Sequence, residues 1–207
     1  MENITWKHTN IQAFWQNVSS REHVVQIYEN ERVILDSLEG FAGTGFLSGN
    51  SVVIIASDEH IDALGLRLRM HGFDLEQMRK TGEYVTRDVE SSLAAFLRND
   101  LPDERLFMKF ANDLLSQAKN HSLHVRAFGE MVSELMKRGN VEATKRLEEL
   151  WNKVCEKENI CLFCAYPEAN FANGNHVHVD HICSLHTKRI GGWAKPSTEI
   201  FYRDAGE

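Results

Sequence analysis

The sequence has no stretch approaching the roughly 20 apolar residues that a membrane-spanning helix requires, and its opening residues, MENITWKHTN, lack the basic-then-apolar order of a signal peptide. A membrane protein is disfavoured, and a soluble, cytoplasmic protein is the expectation. Basic residues are outnumbered: 23 Lys and Arg stand against 30 Asp and Glu, for a formal net charge of −7. They are also scattered rather than gathered in a stripe, so no direct contact with nucleic acid is expected. The 4 cysteines are too few for a disulfide scaffold in 207 residues, which points to reduced thiols. Internal repeats and low-complexity segments are missing too. At this length, with 43% hydrophobic residues, one globular domain is expected over residues 21–207. Residues 1–20 read as an N-terminal arm or short helix whose Trp6, Phe14 and Trp15 could pack on the domain or on a partner.

Catalytic signatures are absent as well. A phosphate loop needs glycines that let the backbone wrap the phosphates, a lysine for charge and a Ser/Thr for magnesium. No such loop occurs at the strand-to-helix junction that would suit it. That junction lies in GFLSGNSVVIIASDEH, residues 45–60. The run Val52-Val53-Ile54-Ile55-Ala56 suits a central strand covered on both faces. Ser57 or Asp58 can cap the helix that follows, with Ile61, Leu64 and Leu68 on one side. Strand followed at once by helix is how nucleotide-binding folds aim N–H groups at an anion. Here Asp58 and Glu59 put two carboxylates where that anion would sit.

The rest of the chain alternates in the same way. Strands are predicted at 23–28, 83–87, 123–128 and 160–166, and helices at 31–47, 58–70, 88–97 and 129–138, with another carrying Leu147, Leu150, Trp151 and Val154. Pro102 is expected to open a longer helix with Leu106, Phe110, Leu114 and Ala118 as its core stripe. Gly72 is a candidate helix C-cap, and residues 198–202 a candidate edge strand. Alternation of this kind implies parallel strands joined by helical crossovers, with helices on both faces of the sheet. Ligands bind such sheets beyond the carboxyl ends of the strands. The residues there are Tyr28, Ser57 to His60, Glu130 and Tyr166, and they contain no recognisable nucleophile and base.

Three blocks occur in order: residues 45–60, VRAFGEMV at 125–132, and LEELWN at 147–152 followed by LFCAYP at 162–167. Together with His23, Tyr28, Ile182, Cys183 and His186, these resemble the MEDS domain, a prokaryotic sensory domain associated with methanogens, methylotrophs and a dichloromethane-responsive repressor. The resemblance runs from about His23 to His186. It implies a three-layer α/β fold of RecA/KaiC type that has lost its phosphate loop, and a non-catalytic role in sensing a small, hydrocarbon-derived ligand. It also implies a kinase or transcription-regulator output, here expected on a separate partner. A homodimer is a further expectation, since the sheet edges and the N-terminal arm need cover.

The candidate ligand-binding residues are His23, Tyr28, Ser57, His60, Arg126, Glu130 and Tyr166. Glu130 stands where a RecA-type enzyme keeps an acidic residue. Without a phosphate-binding lysine the simpler reading pairs it with Arg126 or with loop amides. The enzymatic alternative makes Glu130 a base beside a phosphate cradle at Gly43-Thr44-Gly45, although that loop precedes the strand instead of following it. No cofactor is expected. The alternative is a zinc or redox site from Cys161, Cys164, Cys183 and His186, whose C-x-x-C and C-x-x-H spacings tetrahedral zinc accepts. Against the full set, Cys161 and Cys164 fall within one apolar strand, where residues three apart point to opposite faces. The resemblance favours Cys164, Cys183 and His186, with the imidazole lowering a thiol's pKa. His176, His178 and His181 add further metal-binding capacity.

Overall fold

Unbroken apolar runs become strands buried on both faces. The computed structural model describes residues 10–119, 121–122, 124–171, 178–190 and 202–204. Chain order runs α1 (Asn10–Asn17), β1 (His23–Tyr28), α2 (Glu31–Leu47), β2 (Ser51–Ala56), α3 (Asp58–Met70), α4 (Leu75–Thr81) and β3 (Tyr84–Asp88). It continues through α5 (Val89–Phe96), β4 (Leu97–Arg98), β5 (Leu101–Pro102), α6 (Glu104–Lys119), β6 (Val125–Gly129), α7 (Met131–Lys137) and α8 (Val141–Glu158). Then come β7 (Cys161–Pro167), a 3-10 turn at Glu168–Phe171, α9 (Val179–Ser184), β8 (Lys188–Ile190) and β9 (Tyr202–Asp204). Every residue of β1 and β2 is buried, as the runs VVQIY and VVIIA require of strands with helices on both sides.

The main sheet has the order β3-β2-β6-β7-β1-β8-β9. All neighbours pair in parallel except β9, which runs antiparallel to β8. Helices α1 to α4 cover one face through Trp15, Leu38, Phe41, Leu64 and Leu75, while α5 to α9 cover the other through Phe96, Phe107, Leu147, Trp151 and Ile182. Strand pleating sorts β7 between the two cores: Cys161, Phe163 and Ala165 enter the first, Leu162, Cys164 and Tyr166 the second. The fold is therefore the three-layer α/β arrangement expected. Its helix starts also follow local chemistry, since Ser57 accepts from His60 N and Asp88 from Ser91 N.

Several elements depart from the sequence reading. Pro102 does not open α6; it closes a hairpin in which Leu97 pairs with Pro102 around Asn99 and Asp100, both with positive φ (50° and 62°). The helix begins after Asp103, whose carboxylate accepts from Leu106 N at 2.9 Å. Its buried face is Phe107, Ala111, Leu114, Leu115 and Ala118, while Leu106 and Phe110 are half-buried at the margin. Gly72, by contrast, ends α3 as expected of a helix-terminating glycine: it follows the cap His71 with a positive φ of 85°, its N–H donates to Arg69 O and that of Phe73 to Leu68 O. Elements α4, β4, β5, α9 and β8 have no counterpart among the elements the sequence pattern predicts. Of the expected edge strand, residues 198–201 lie outside the described residues, as does Trp6.

The segment Gly43-Thr44-Gly45 is no phosphate cradle: it lies inside α2, buried, with Thr44 Oγ1 donating to Gly40 O at 2.7 Å. Its glycine instead gives Arg126 room, since a Cβ on Gly45 would stand 3.1 Å from Arg126 Cδ and 3.0 Å from Val52 Cγ2. The Arg126 side chain lies under α2, where Nη1 donates to Thr44 Oγ1 at 2.8 Å and Phe41 O at 3.2 Å, and Nη2 to Trp15 O at 2.9 Å. Burial pushes its pKa down, yet acceptors in α2 and in the last turn of α1 surround it. It does not pair with Glu130. The first of the two lies near the start of β6 and the second just past its end.

Candidate functional site

Strands β1 and β2 feed helices on one face of the sheet, and β6 feeds α7 on the other. Where neighbouring strands send their helices to opposite sides, a crevice opens beyond the carboxyl ends. A cleft of about 600 Å³ lies there. Its floor comes from the ends of four strands, through Tyr28, Ser57, Glu130 and Pro167, and its walls include Glu31, His60, Lys137 and Asn170.

The centre of the cleft is a three-residue ion bridge. His60, in the first turn of α3, donates from Nδ1 to Glu130 Oε1 and from Nε2 to Glu31 Oε2. Both acceptors are carboxylates, so both ring nitrogens must carry protons and the ring is an imidazolium. Hydrogen bonding to Glu130, opposed by burial and reinforced by Glu31, holds its pKa up at about 9. The other Glu130 oxygen, Oε2, accepts from Ser57 N at 2.9 Å. The helix-start N–H that would meet a phosphate in a nucleotide-binding protein thus already holds an internal carboxylate. Asp58 and Glu59, the two carboxylates expected to repel an anion there, are both exposed, and Glu59 lines the cleft at its rim while Asp58 does not. Tyr28 completes this wall, its hydroxyl pKa raised by burial and by Glu130 and Glu31.

This bridge sets a pH dependence. The histidine pKa is raised on folding, so its contribution is fully present below the unfolded value of about 6.5 and is lost as pH rises through about 9. Chemical denaturation at a series of pH values from 6 to 10 should show stability falling across that window. The slope should flatten in His60→Gln; an unaltered slope would show the bridge to be uncoupled from folding.

A second polar group lies deeper, between the sheet and α8. His23 Nδ1 donates to Asn152 Oδ1 at 2.7 Å, an assignment fixed by Asn152 Nδ2 donating to Leu185 O at 2.9 Å. His23 Nε2 then faces Cys164 Sγ and Glu148 Oε2, each at 3.3 Å. His186 Nδ1 donates to Ile182 O at 2.7 Å, and its Nε2 lies 3.4 Å from Glu148 Oε1. The Tyr166 hydroxyl donates to Glu148 Oε1, and Cys164 Sγ stands 3.6 Å from Oε2. His23, Glu148, Cys164, Tyr166, Ile182 and His186 are buried, while Asn152 and Leu185 are half-buried. Burial pushes the Glu148 carboxyl up, but His186 and His23 together hold it well below the usual range. Burial, aided by His186, keeps His23 low against the opposing pull of Glu148.

The candidate residues are thus divided. Tyr28, Ser57, His60 and Glu130 meet at the cleft; His23 and Tyr166 belong to the deeper group; Arg126 belongs to neither. Among the alternative metal or redox residues, Cys164 and His186 converge on Glu148, whereas Cys161 faces the opposite core and Cys183 packs at the margin. Burial raises the thiol pKa of Cys161, Cys164 and Cys183, and Glu148 raises that of Cys164 further. His178 and His181 lie around α9, half-buried and exposed, and His176 lies outside the described residues. Glu148 itself escaped the sequence reading. Its signal is a carboxylate at core spacing, on the helix face of Thr144, Trp151 and Cys155.

Comparison with protein families finds one that covers most of the chain: the model of the MEDS domain, the methanogen/methylotroph, DcmR sensory domain, matches residues 22–187. The chain belongs to the MEDS family. The match opens just before His23 and closes just after His186, so both polar groups of this MEDS domain fall inside it. Among solved structures, it is similar to a KaiC-like protein from the hyperthermophilic archaeon Pyrococcus horikoshii OT3, at 12% identity and a TM-score of 0.56 over 91% of this chain and 81% of that one. A second P. horikoshii OT3 protein, from a structural project, aligns at 13% identity with a TM-score of 0.61 over 96% and 94% of the two chains. At such identities the likeness speaks for the fold, which is RecA/KaiC-like. No curated protein matches. Among the described residues, no helix of the MEDS domain is long and apolar enough to cross a membrane.

Proposed function

We propose that this MEDS domain senses a small hydrocarbon derivative with a neutral or cationic polar group, bound in the cleft at the carboxyl edge of the sheet without chemical turnover. The observation that carries this reading is the occupant of the helix-start position, the Glu130 carboxylate on Ser57 N, tied to His60. Glu31, Glu59, Glu130 and Glu134 line the same cleft and disfavour a polyphosphate, while Tyr28, Val89, Met136 and Pro167 offer apolar surface to a hydrocarbon body. Family membership supports signal sensing in general. Binding would compete for the Glu130 and Glu31 carboxylates, release His60 and shift α2 against α3. A separate kinase or transcription regulator would then read the population change.

The test is a thermal-shift and calorimetric screen of small alcohols, amines and halogenated hydrocarbons against the purified chain. A ligand present at about 100 times its Kd stabilises the folded state by about 2.7 kcal/mol, which is readily seen. A hit whose shift is lost in Glu130→Gln is the expected outcome. Sustained magnesium-dependent turnover of ATP, abolished by the same substitution, would replace the proposal with a nucleotide enzyme.

A further inference from the structure

The deeper group has the make-up of a metal site. Bond lengths of about 2.0–2.1 Å to nitrogen or oxygen and 2.3 Å to sulfur around tetrahedral zinc imply donor–donor edges of roughly 3.3–3.6 Å. Three edges here form a triangle on one carboxylate oxygen: 3.3 Å for His23 Nε2 to Cys164 Sγ, 3.3 Å for His23 Nε2 to Glu148 Oε2, and 3.6 Å for Cys164 Sγ to Glu148 Oε2, while His186 Nε2 lies 3.4 Å from the other oxygen, Oε1. All four donors lie within 4.8 Å of one another.

The surroundings select the same atoms. Each imidazole spends its Nδ1–H on a fixed acceptor, His23 on Asn152 and His186 on the Ile182 carbonyl. This outer hydrogen bond is what sets the tautomer of a metal-bound histidine and turns the Nε2 lone pair inward. His186 Nε2 makes no hydrogen bond, although the residue is only 2% exposed. A buried polar atom aimed at a carboxylate without a hydrogen bond to it needs an explanation. A dication gives one, because one carboxylate and one thiolate neutralise it and two neutral imidazoles complete the shell.

We propose that His23, Glu148, Cys164 and His186 form a closed tetrahedral site for a divalent transition metal, with zinc the ion that this set of two nitrogens, one oxygen and one sulfur suits. On binding, the Cys164 S–H bond breaks, its proton leaves to solvent and an S–Zn bond forms, with no change in oxidation state. The donors come from β1, α8, β7 and the segment between α9 and β8. The ion would therefore fasten a late part of the chain to the first strand. Cys161 and Cys183 have no part in it.

Cobalt(II) is the probe. The full-length chain is stripped of metal by chelator, and Co2+ is added either to the folded protein or during refolding. The expected result by at least one route is one bound Co2+ per chain, with the intense visible bands of four-coordinate cobalt and a near-ultraviolet thiolate-to-cobalt band, both displaced by Zn2+. The thiolate band should be lost in Cys164→Ser and retained in Cys161→Ser and Cys183→Ser. Wild-type protein that folds and binds no cobalt by either route overturns the proposal, as does a thiolate band that persists in Cys164→Ser. The wild-type titration decides the matter even if a variant fails to fold.

Discussion

Glu148→Ala should lower the free energy of unfolding by about 3–5 kcal/mol, measured by urea denaturation in the presence of chelator. The carboxylate is wholly buried in the middle of α8, where it accepts from the Tyr166 hydroxyl and lies 3.3 Å from His23 Nε2 and 3.4 Å from His186 Nε2. Truncation leaves those groups buried without their common partner, and removing one member of a buried network costs more than the net worth of the contacts. Against a typical domain stability of roughly 5–15 kcal/mol, the loss is large enough to threaten folding at growth temperature. The neighbour Glu149 is exposed, and Glu149→Ala should stay within about 0.5 kcal/mol of wild type. Equal effects at the two positions would mean that the network contributes nothing. The pH profile adds a second check. Glu148 and His23 both have pKa values lowered on folding, so each contributes stability above its unfolded pKa and withdraws it as pH falls towards the folded value. Acid unfolding should therefore shift to higher pH in the variant that keeps His23 and lacks Glu148, since His23 then loses the carboxylate that stabilises its charged form in the fold.

What the sequence made legible was set by patterns with a short period. The short, β-branched run at 52–56 suits a two-sided strand, and the cap residues Ser57 and Asp88 announce helices through bonds three residues away. The opposite facing of Cys161 and Cys164 likewise follows from a period of two, and it argues against a four-ligand zinc site that uses both. The cleft residues Tyr28, Ser57, His60 and Glu130 were reachable because parallel sheets put ligands at strand ends. The deeper group was not reachable in the same way. His23 and Glu148 are 125 positions apart along the chain and meet only because β1 lies beside β7, a strand order that local periodicity does not specify. Arg126 misled for a related reason: its side chain enters the core under α2, where the missing Cβ of Gly45 leaves it room. Pro102 misled because a proline can start a helix or end a hairpin strand, and the left-handed pair Asn99–Asp100 decides for the hairpin.

The two polar groups are adjoining in the chain while separate in their surroundings. Tyr166, the penultimate residue of β7, donates to Glu148 in the deeper group, and Pro167, the last, lines the cleft. A change at either group therefore has one residue of backbone to cross. The same strand joins the cores, because Phe163 faces α1 and α2 while Cys164 faces α8.

That packing leads to the second large effect, at a position outside the family match. Trp15→Ala should cost about 3–5 kcal/mol, the range for truncating a buried tryptophan or phenylalanine. The arm expected over residues 1–20 is, from Asn10 to Asn17, a helix whose Trp15 is 0% exposed. Its ring centroid lies 4.6 Å from that of Phe14, 4.9 Å from Phe41 and 4.8 Å from Phe163, so truncation opens a cavity against both α2 and β7. Its backbone carbonyl also accepts from Arg126 Nη2 at 2.9 Å, and a loosened α1 would leave part of a buried guanidinium unpaired. Trp15→Phe should cost much less, because the indole N–H has no hydrogen-bond acceptor to lose and most of the ring volume is kept. Gln16→Ala, one residue along and exposed, should be close to neutral. Urea denaturation of the three variants gives the ranking. If Trp15→Ala were as mild as Gln16→Ala, α1 would be an attached arm and the folded core would begin at β1.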